Sequence, residues 1–221
     1  MYENLLSLPY FQGMSKDDIT AILDKVKLEF TNYSDKETVC RQGEECNRFL
    51  ILTKGEISAE TTSPSGTYSI EEDIKAPYAI EPYSLFGYST AYKRTYTSNG
   101  GCTILAIDKG YFFSEFAKQH IFTLNLINLI SRKVQVQNET TWKHTPASIE
   151  GRIALFIAQR SENTTGYRRV KIKMEQLAAI ICETRLNVSK ALNSLQERGL
   201  VSLSRKEIHI PDFSKLIPLI K

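Results

Sequence analysis

The chain has 221 residues, 42% hydrophobic and 24% charged, which is the make-up of a globular protein and excludes a disordered one. No run of about 18 apolar residues occurs, and the opening MYENLLSLPYF lacks the basic region, apolar stretch and cleavage site of a signal peptide, so a cytoplasmic protein with no membrane partner is expected. The net charge of +3 is segregated about Pro146: residues 147–221 hold 13 Lys+Arg against 7 Asp+Glu, or +6, leaving −3 before them, as for a nucleic-acid-binding module joined to a part with another task.

At the start, Ser15 precedes an acidic turn (Asp17, Asp18) and then Ile19, Ile22, Leu23 and Val26 at helical spacing, which predicts a capped amphipathic helix. From Thr31 to about Phe113, short runs such as FLILT and TILAI alternate with breaks at Gly43-Glu44, Lys54-Gly55 and Pro64-Ser65-Gly66, the rhythm of an antiparallel barrel or sandwich. Cys40 and Cys46 flank the first of these breaks and read as half-buried reduced thiols, with a redox pair as the alternative. This stretch has no histidine, and Cys40, Cys46, Cys102 and Cys182 lack metal-site spacing, so no enzyme, metal or cofactor is expected.

Residues 111–137 return to helical character, apolar on more than one face. Leu124, Ile127, Ser131 and Val134 make an approximate heptad seam suited to a second copy, the alternative being one helix inside a monomeric core. The polar NETTWKHTP, with Pro146, predicts a hinge.

Beyond the hinge, Ile149, Ile153, Phe156 and Ile157 stripe one helix, the turn SENTTGY ends it, and RRVKIKM predicts a basic strand. MEQLAAIICETRLNVSKALNSLQERGLV predicts two helices broken tightly near Cys182-Glu183, with Leu177, Ala178 and Ile181 inside the first and Val188, Leu192 and Leu195 inside the second. Thr184 caps the second helix, leaving Arg185, Asn187, Ser189, Lys190 and Asn193 outward as donors of the kind a major groove accepts. Arg185 is the candidate for guanine, Asn187 and Ser189 for phosphate or base edges, and Lys190 for phosphate or guanine. Gly199 ends this helix, and two short strands around Arg205-Lys206 form a basic wing whose cations, with Lys171, Lys173 and Gln176 upstream, would lie along a backbone.

The run LAAIICETRLNVSKALNSLQERGLV resembles the helix-turn-helix of the Crp/Fnr transcription regulators, and IEGRIALFI the helix before it. LPYFQGMSKDDI, the Gly43-Glu44 turn, FLILTKGEI, SLFGYS and TILAIDKGYF resemble, in order, that family's cyclic-nucleotide-binding-type β-roll. The resemblance spans nearly the whole chain and implies an α+β protein. Residues 1–112 would form a double-stranded, jelly-roll-like β-roll, 113–145 a dimerisation helix and hinge, and 146–221 a winged helix-turn-helix. It further implies a homodimer on a two-fold symmetric DNA operator, with RNA polymerase and an unidentified small-molecule effector as further candidate partners. A ligand-binding module that acts on protein partners, its helix-turn-helix no longer reading DNA, is the alternative.

Departures from the family pattern bear on the effector and the operator. Its cyclic-AMP-binding members carry a Gly-Glu pair for ribose and an Arg-Ser or Arg-Thr pair for phosphate, whereas here Phe86-Gly87-Tyr88 puts a neutral phenol where the acid should be. Arg94-Thr95 supplies the second pair at a shortened spacing, so cyclic AMP is not the expected effector. Tyr88, Tyr92, Arg94, Thr95 and Tyr96 are the candidate pocket residues, exposed loop being the other reading. The N-terminus lacks the cysteine cluster of the family's iron–sulfur members. Leu186 follows Arg185 where the best-known members have an acid, which predicts a different operator, and Cys182 stands where they usually have glycine.

Overall fold

The computed structural model describes residues 5–142 and 145–220, which group into two compact units: Met1–Ser58 with Ile74–Thr141, and Ala59–Asp73 with Trp142–Lys221. In the first unit, helix α1 (Lys16–Leu23) opens on a capping box: Ser15 Oγ accepts from Asp18 N at 3.1 Å, and the Asp18 carboxylate accepts from Ser15 N at 3.1 Å. Its stripe of Ile19, Ile22 and Leu23 is buried, as is Val26 just beyond the helix. Strands β1 (Leu28–Tyr33), β2 (Thr38–Cys40), β3 (Arg48–Thr62), β4 (Tyr68–Lys75), β5 (Tyr78–Ile80) and β6 (Thr95–Asp108) follow. β6 pairs antiparallel with β1 and β2, and β5 with β3, which itself neighbours β6. Phe49, Ile51, Ile57, Ile104 and Ile107 are buried in the interior, and residues 49–53 and 104–107 are buried without alternation.

Two expectations for this unit are corrected. Lys54-Gly55 is no turn but lies inside the 15-residue β3. Gly55 has φ +83°, and a Cβ there would stand 2.3 Å from Gly101 O, so the glycine admits the β6 backbone rather than reversing the chain. The apolar stretch 111–137 is not one helix: α2 (Lys109–Ser114) and a 3₁₀ turn (Phe116–Lys118) precede α3 (His120–Trp142). Phe112, Phe116 and Phe122 all meet Phe11 or one another at centroid separations of 5.0–6.2 Å. In a continuous helix Phe122 would face roughly 240° round from Phe116, so gathering all three into one cluster requires the break. The predicted hinge is helical as far as Trp142, while its Lys143 and His144 lie outside the described residues.

The second unit contains helices α4 (Ile149–Ala158), α5 (Met174–Ile180) and α6 (Arg185–Glu197), with strands β7 (Arg168–Ile172), β8 (Ser202–Ser204) and β9 (Glu207–Ile210). Its sheet runs β4–β7–β9–β8, because the hairpin Ala59–Asp73 lays β4 antiparallel along β7 from Tyr68↔Ile172 to Glu72↔Arg168. Ile70 thereby joins a core of Ile153, Phe156, Val170, Val188, Leu192 and Ile210, and Tyr68 packs edge-on against Phe156 while its hydroxyl accepts from Arg160 Nε at 2.8 Å. A sequence division at residue 112 leaves residues 59–73 with the N-terminal part, whereas the compact units group them with the C-terminal one.

β7 is basic in sequence, but each of its three cations is paired with an acid of the hairpin. Arg168 is fully buried, 2.9 Å from the Glu72 carboxylate, and donates to Tyr167 O and Asn163 O at 2.7 Å. Glu72 in turn accepts from the backbone N–H groups of Glu162 and Asn163. Arg169 pairs with Glu71, and Lys171 with Glu60 at 3.4 Å. The hairpin adds four acids to this unit and Lys143 one base, so the contrast of +6 against −3 becomes +3 against zero when the charges are counted by compact unit. Among the described residues, no helix is long and apolar enough to cross a membrane, and no cluster of three His, Cys, Asp or Glu could hold a metal ion.

Candidate nucleic-acid interface

α5 and α6 meet at a turn in which Cys182 takes the left-handed conformation at φ +54°, a position that suits glycine better. The turn closes through Glu183 N donating to Ala178 O at 2.9 Å. Thr184 caps α6, its Oγ1 accepting from Asn187 N at 3.2 Å. Leu177, Ala178 and Ile181 on one side and Val188, Ala191, Leu192 and Leu195 on the other are buried, as the apolar spacing requires.

Burial of those faces leaves Thr184, Arg185, Lys190 and Asn193 exposed, with Asn187 and Ser189 half-buried. Leu186 is 64% exposed, which is unusual for a leucine beside a helix start. Arg185 approaches Glu175 no closer than 3.9 Å, with both side chains at least 70% exposed, so its guanidinium is loosely held. Lys173 lies just past β7 rather than within it and precedes α5, where Gln176 Oε1 accepts from its N–H at 3.4 Å. In the wing between β8 and β9, Arg205 and Lys206 are exposed, Lys206 at φ +65°, and the turn is tied back by Ile172 N donating to Lys206 O. Lys173, Arg185 and Lys206 together line a groove of about 290 Å³, shared with Glu175, Ser204 and Glu207. Lys171, held by Glu60, is not among its lining.

A further element of this face is absent from the sequence reading. Arg152 on α4 donates to Ile181 O at 3.1 Å and to Glu183 Oε1 at 2.5 Å. The other carboxylate oxygen of Glu183 accepts from Asn187 Nδ2 at 3.2 Å and Thr184 N at 3.3 Å. Hydrogen bonds from Asn187 and Arg152 hold the Glu183 carboxyl below its ordinary range. The i, i+4 spacing of Glu183 and Asn187 is the one signal in the sequence that could have disclosed half of this network.

On α3 of the first unit, Leu124, Ile127 and Val134 are each at least half exposed and Ser131 is exposed beside them. Elsewhere on the helix, Phe122 is buried and Asn125 Nδ2 donates to Tyr10 O and Gln12 O. The predicted pocket residues divide. Tyr88 is fully exposed, Thr95 Oγ1 accepts from Gln42 N, and Tyr92, Arg94 and Tyr96 are buried rather than in an exposed loop. Tyr96 donates to Glu81, a fully buried carboxylate on a residue at φ +37° that also accepts from Ser84 Oγ and Lys93 N, both at 2.8 Å. Glu81 was not foreseen, and nothing local in the sequence marks it. Burial pushes the Tyr92 and Tyr96 phenols and the Cys40 and Cys46 thiols up, away from ionisation, and all four cysteines are free.

Residues 151–219 match the Crp-like helix-turn-helix domain and residues 30–119 the cyclic nucleotide-binding domain. The chain is 24% identical over 227 aligned positions to a CRP-like cAMP-activated global transcriptional regulator of Mycobacterium tuberculosis, covering 98% of each. Among solved structures, the Thermus thermophilus catabolite activator protein aligns over 96% of this chain and 98% of its own, at 16% identity and a TM-score of 0.50. The sensor domain of the transcriptional regulator DNR from Pseudomonas aeruginosa aligns over 61% of this chain and 86% of its own, at 17% identity and 0.50. At these identities the structural matches speak to fold alone.

Proposed function

Since the chain belongs to the Crp/Fnr family of transcription regulators, with a Crp-like helix-turn-helix DNA-binding domain, we propose that it acts as a homodimer reading a palindromic operator. The observation that carries this is the capped α6, whose exposed Arg185 and Lys190 leave from its first two turns next to a groove lined by Lys173 and Lys206. In this reading Arg185 and Lys190 enter the major groove with Asn187, Ser189 and Asn193, Leu186 meets a thymine methyl, and Thr184, Gln176, Lys173, Arg205 and Lys206 hold the backbone. The seam Leu124, Ile127, Ser131, Val134 pairs two copies so that their recognition helices lie about 34 Å apart, one DNA turn.

Residues 1–112, apart from the hairpin 59–73 that packs into the C-terminal unit, serve as a sensor-like domain, 113–145 as the dimer helix and hinge, and 146–221 as the reader. The effector is not cyclic AMP in this reading, because the Tyr88 phenol points to solvent and the carboxylate nearby, Glu81, is taken up by donors of its own chain. RNA polymerase is the partner through which a bound dimer would act on transcription. Selection from a randomised duplex library tests the reading: the wild-type protein should enrich a palindrome with half-sites one helical turn apart, and R185A/K190A should lose it. If the wild-type protein enriches nothing, or the double variant binds as before, the module addresses a protein instead.

A further inference from the structure

Asn187 is the third residue of α6, on the same first turn as Arg185, and recognition helices present this end to base edges. Its side chain is not free to rotate. Nδ2 donates to Glu183 Oε2 at 3.2 Å, and that carboxylate also accepts from Thr184 N at the same oxygen and from Arg152 Nη2 at the other. Arg152 is itself anchored to the turn through Ile181 O, and Arg152 and Glu183 are less than one-fifth exposed.

The chemistry of this chain of contacts fixes which way the amide faces. An ionised carboxylate only accepts, so the nitrogen of Asn187 must face Glu183 and the carbonyl oxygen must face away. A flipped amide would set two oxygens against each other. Nδ2 carries two hydrogens, and Glu183 takes one. With Glu183 on the hydrogen trans to Oδ1, what remains is one N–H beside one C=O, a donor–acceptor edge. In the major groove that edge complements adenine, which offers N7 as acceptor and the N6 amine as donor. Guanine offers two acceptors and suits Arg185 instead. A phosphate oxygen at the same place would meet the neighbouring Glu183 carboxylate and be repelled by it.

We propose that Asn187 reads an adenine in each half-site, and that Glu183, held by Arg152, is the positioning residue that sets the amide for it. This rests on the DNA-reading function proposed above and assigns one base of the operator. It narrows Asn187 from a phosphate or base-edge contact to a single base type, and gives Glu183 and Arg152 a part in specificity although neither needs to touch DNA.

The test is duplex selection with the full-length wild-type protein, N187A and E183Q, each first verified as folded by its thermal transition. The wild-type protein should enrich an adenine at one position per half-site, and N187A should lose about tenfold in preference there while the guanine positions stay unchanged. E183Q keeps the shape but offers both a donor and an acceptor, so the Asn187 amide can flip. Its preference should flatten at that same position only, which a purely structural role for Glu183 would not produce. An unchanged profile for N187A, or an equal loss of affinity for every sequence, overturns the adenine assignment while leaving the DNA reader standing. No enriched palindrome even for the wild-type protein overturns both.

Discussion

Replacing Glu72 by Gln takes the negative charge from the fully buried Arg168 without changing the volume of the site. Arg168 keeps its bonds to Tyr167 O and Asn163 O, but the buried guanidinium loses the carboxylate 2.9 Å away, and a Gln side chain has one accepting oxygen where Glu72 used two for Glu162 N and Asn163 N. Breaking one side of a buried pair in this way costs about 3–5 kcal/mol. Each kcal/mol lowers Tm by about 2–4 °C if the whole chain melts together, and by more for a smaller unit, so E72Q should fall by at least about 6 °C. E71Q is the control, since Glu71 and Arg169 are partly exposed and their pair is worth at most about 1 kcal/mol. Thermal unfolding by circular dichroism and calorimetry measures both. A fall for E72Q under about 2 °C, or one equal to that of E71Q, would refute the reasoning that residues 59–73 complete the interior of the C-terminal unit.

The exposed seam on α3 predicts that L124E/V134E is monomeric in sedimentation equilibrium at concentrations where the wild-type protein is a dimer, with loss of operator binding; an unshifted mass would place the dimer contact elsewhere. Cys40, Cys46 and Cys102 are buried with thiol pKa values raised chiefly by desolvation, whereas Cys182 is exposed. One thiol per folded chain should therefore react with a neutral alkylating agent at pH 8, abolished by C182S, and four after denaturation.

Local signals were legible and long-range pairings were not. Ser15 with Asp18, Thr184 before α6, Gly199 after it and the strand–turn–strand of the wing each announce themselves within a few residues, and the structure holds them where the sequence puts them. The docking of β4 on β7 joins residues about a hundred positions apart, and each strand alone reads as an ordinary alternating strand. RRVKIKM therefore reads only as a basic strand, and nothing in it marks Arg168 as buried. Gly55 shows the same limit, since a glycine at positive φ looks alike in sequence whether it turns the chain or lets another strand pass. The break between α2 and α3 lets Phe116 and Phe122 both meet Phe11, far upstream, which no local pattern discloses. On the interface, the outward positions of α6 followed from helical period, but the hold of Arg152 on Glu183 crosses from another helix and carries no periodic trace.

Dimeric DNA binding through cations placed on the helix-turn-helix and wing, as proposed, is tested most directly by the affinity of the full-length protein for its selected duplex across a salt series, with stoichiometry measured alongside. Lys173, Arg205 and Lys206 from each of two copies would neutralise six phosphates, which predicts two chains per duplex and a slope of log K against log salt near about −5. R205A/K206A should make that slope shallower by roughly 4 without altering the preferred sequence. A slope shallower than about −1, or equal affinity for a scrambled duplex, would contradict the account.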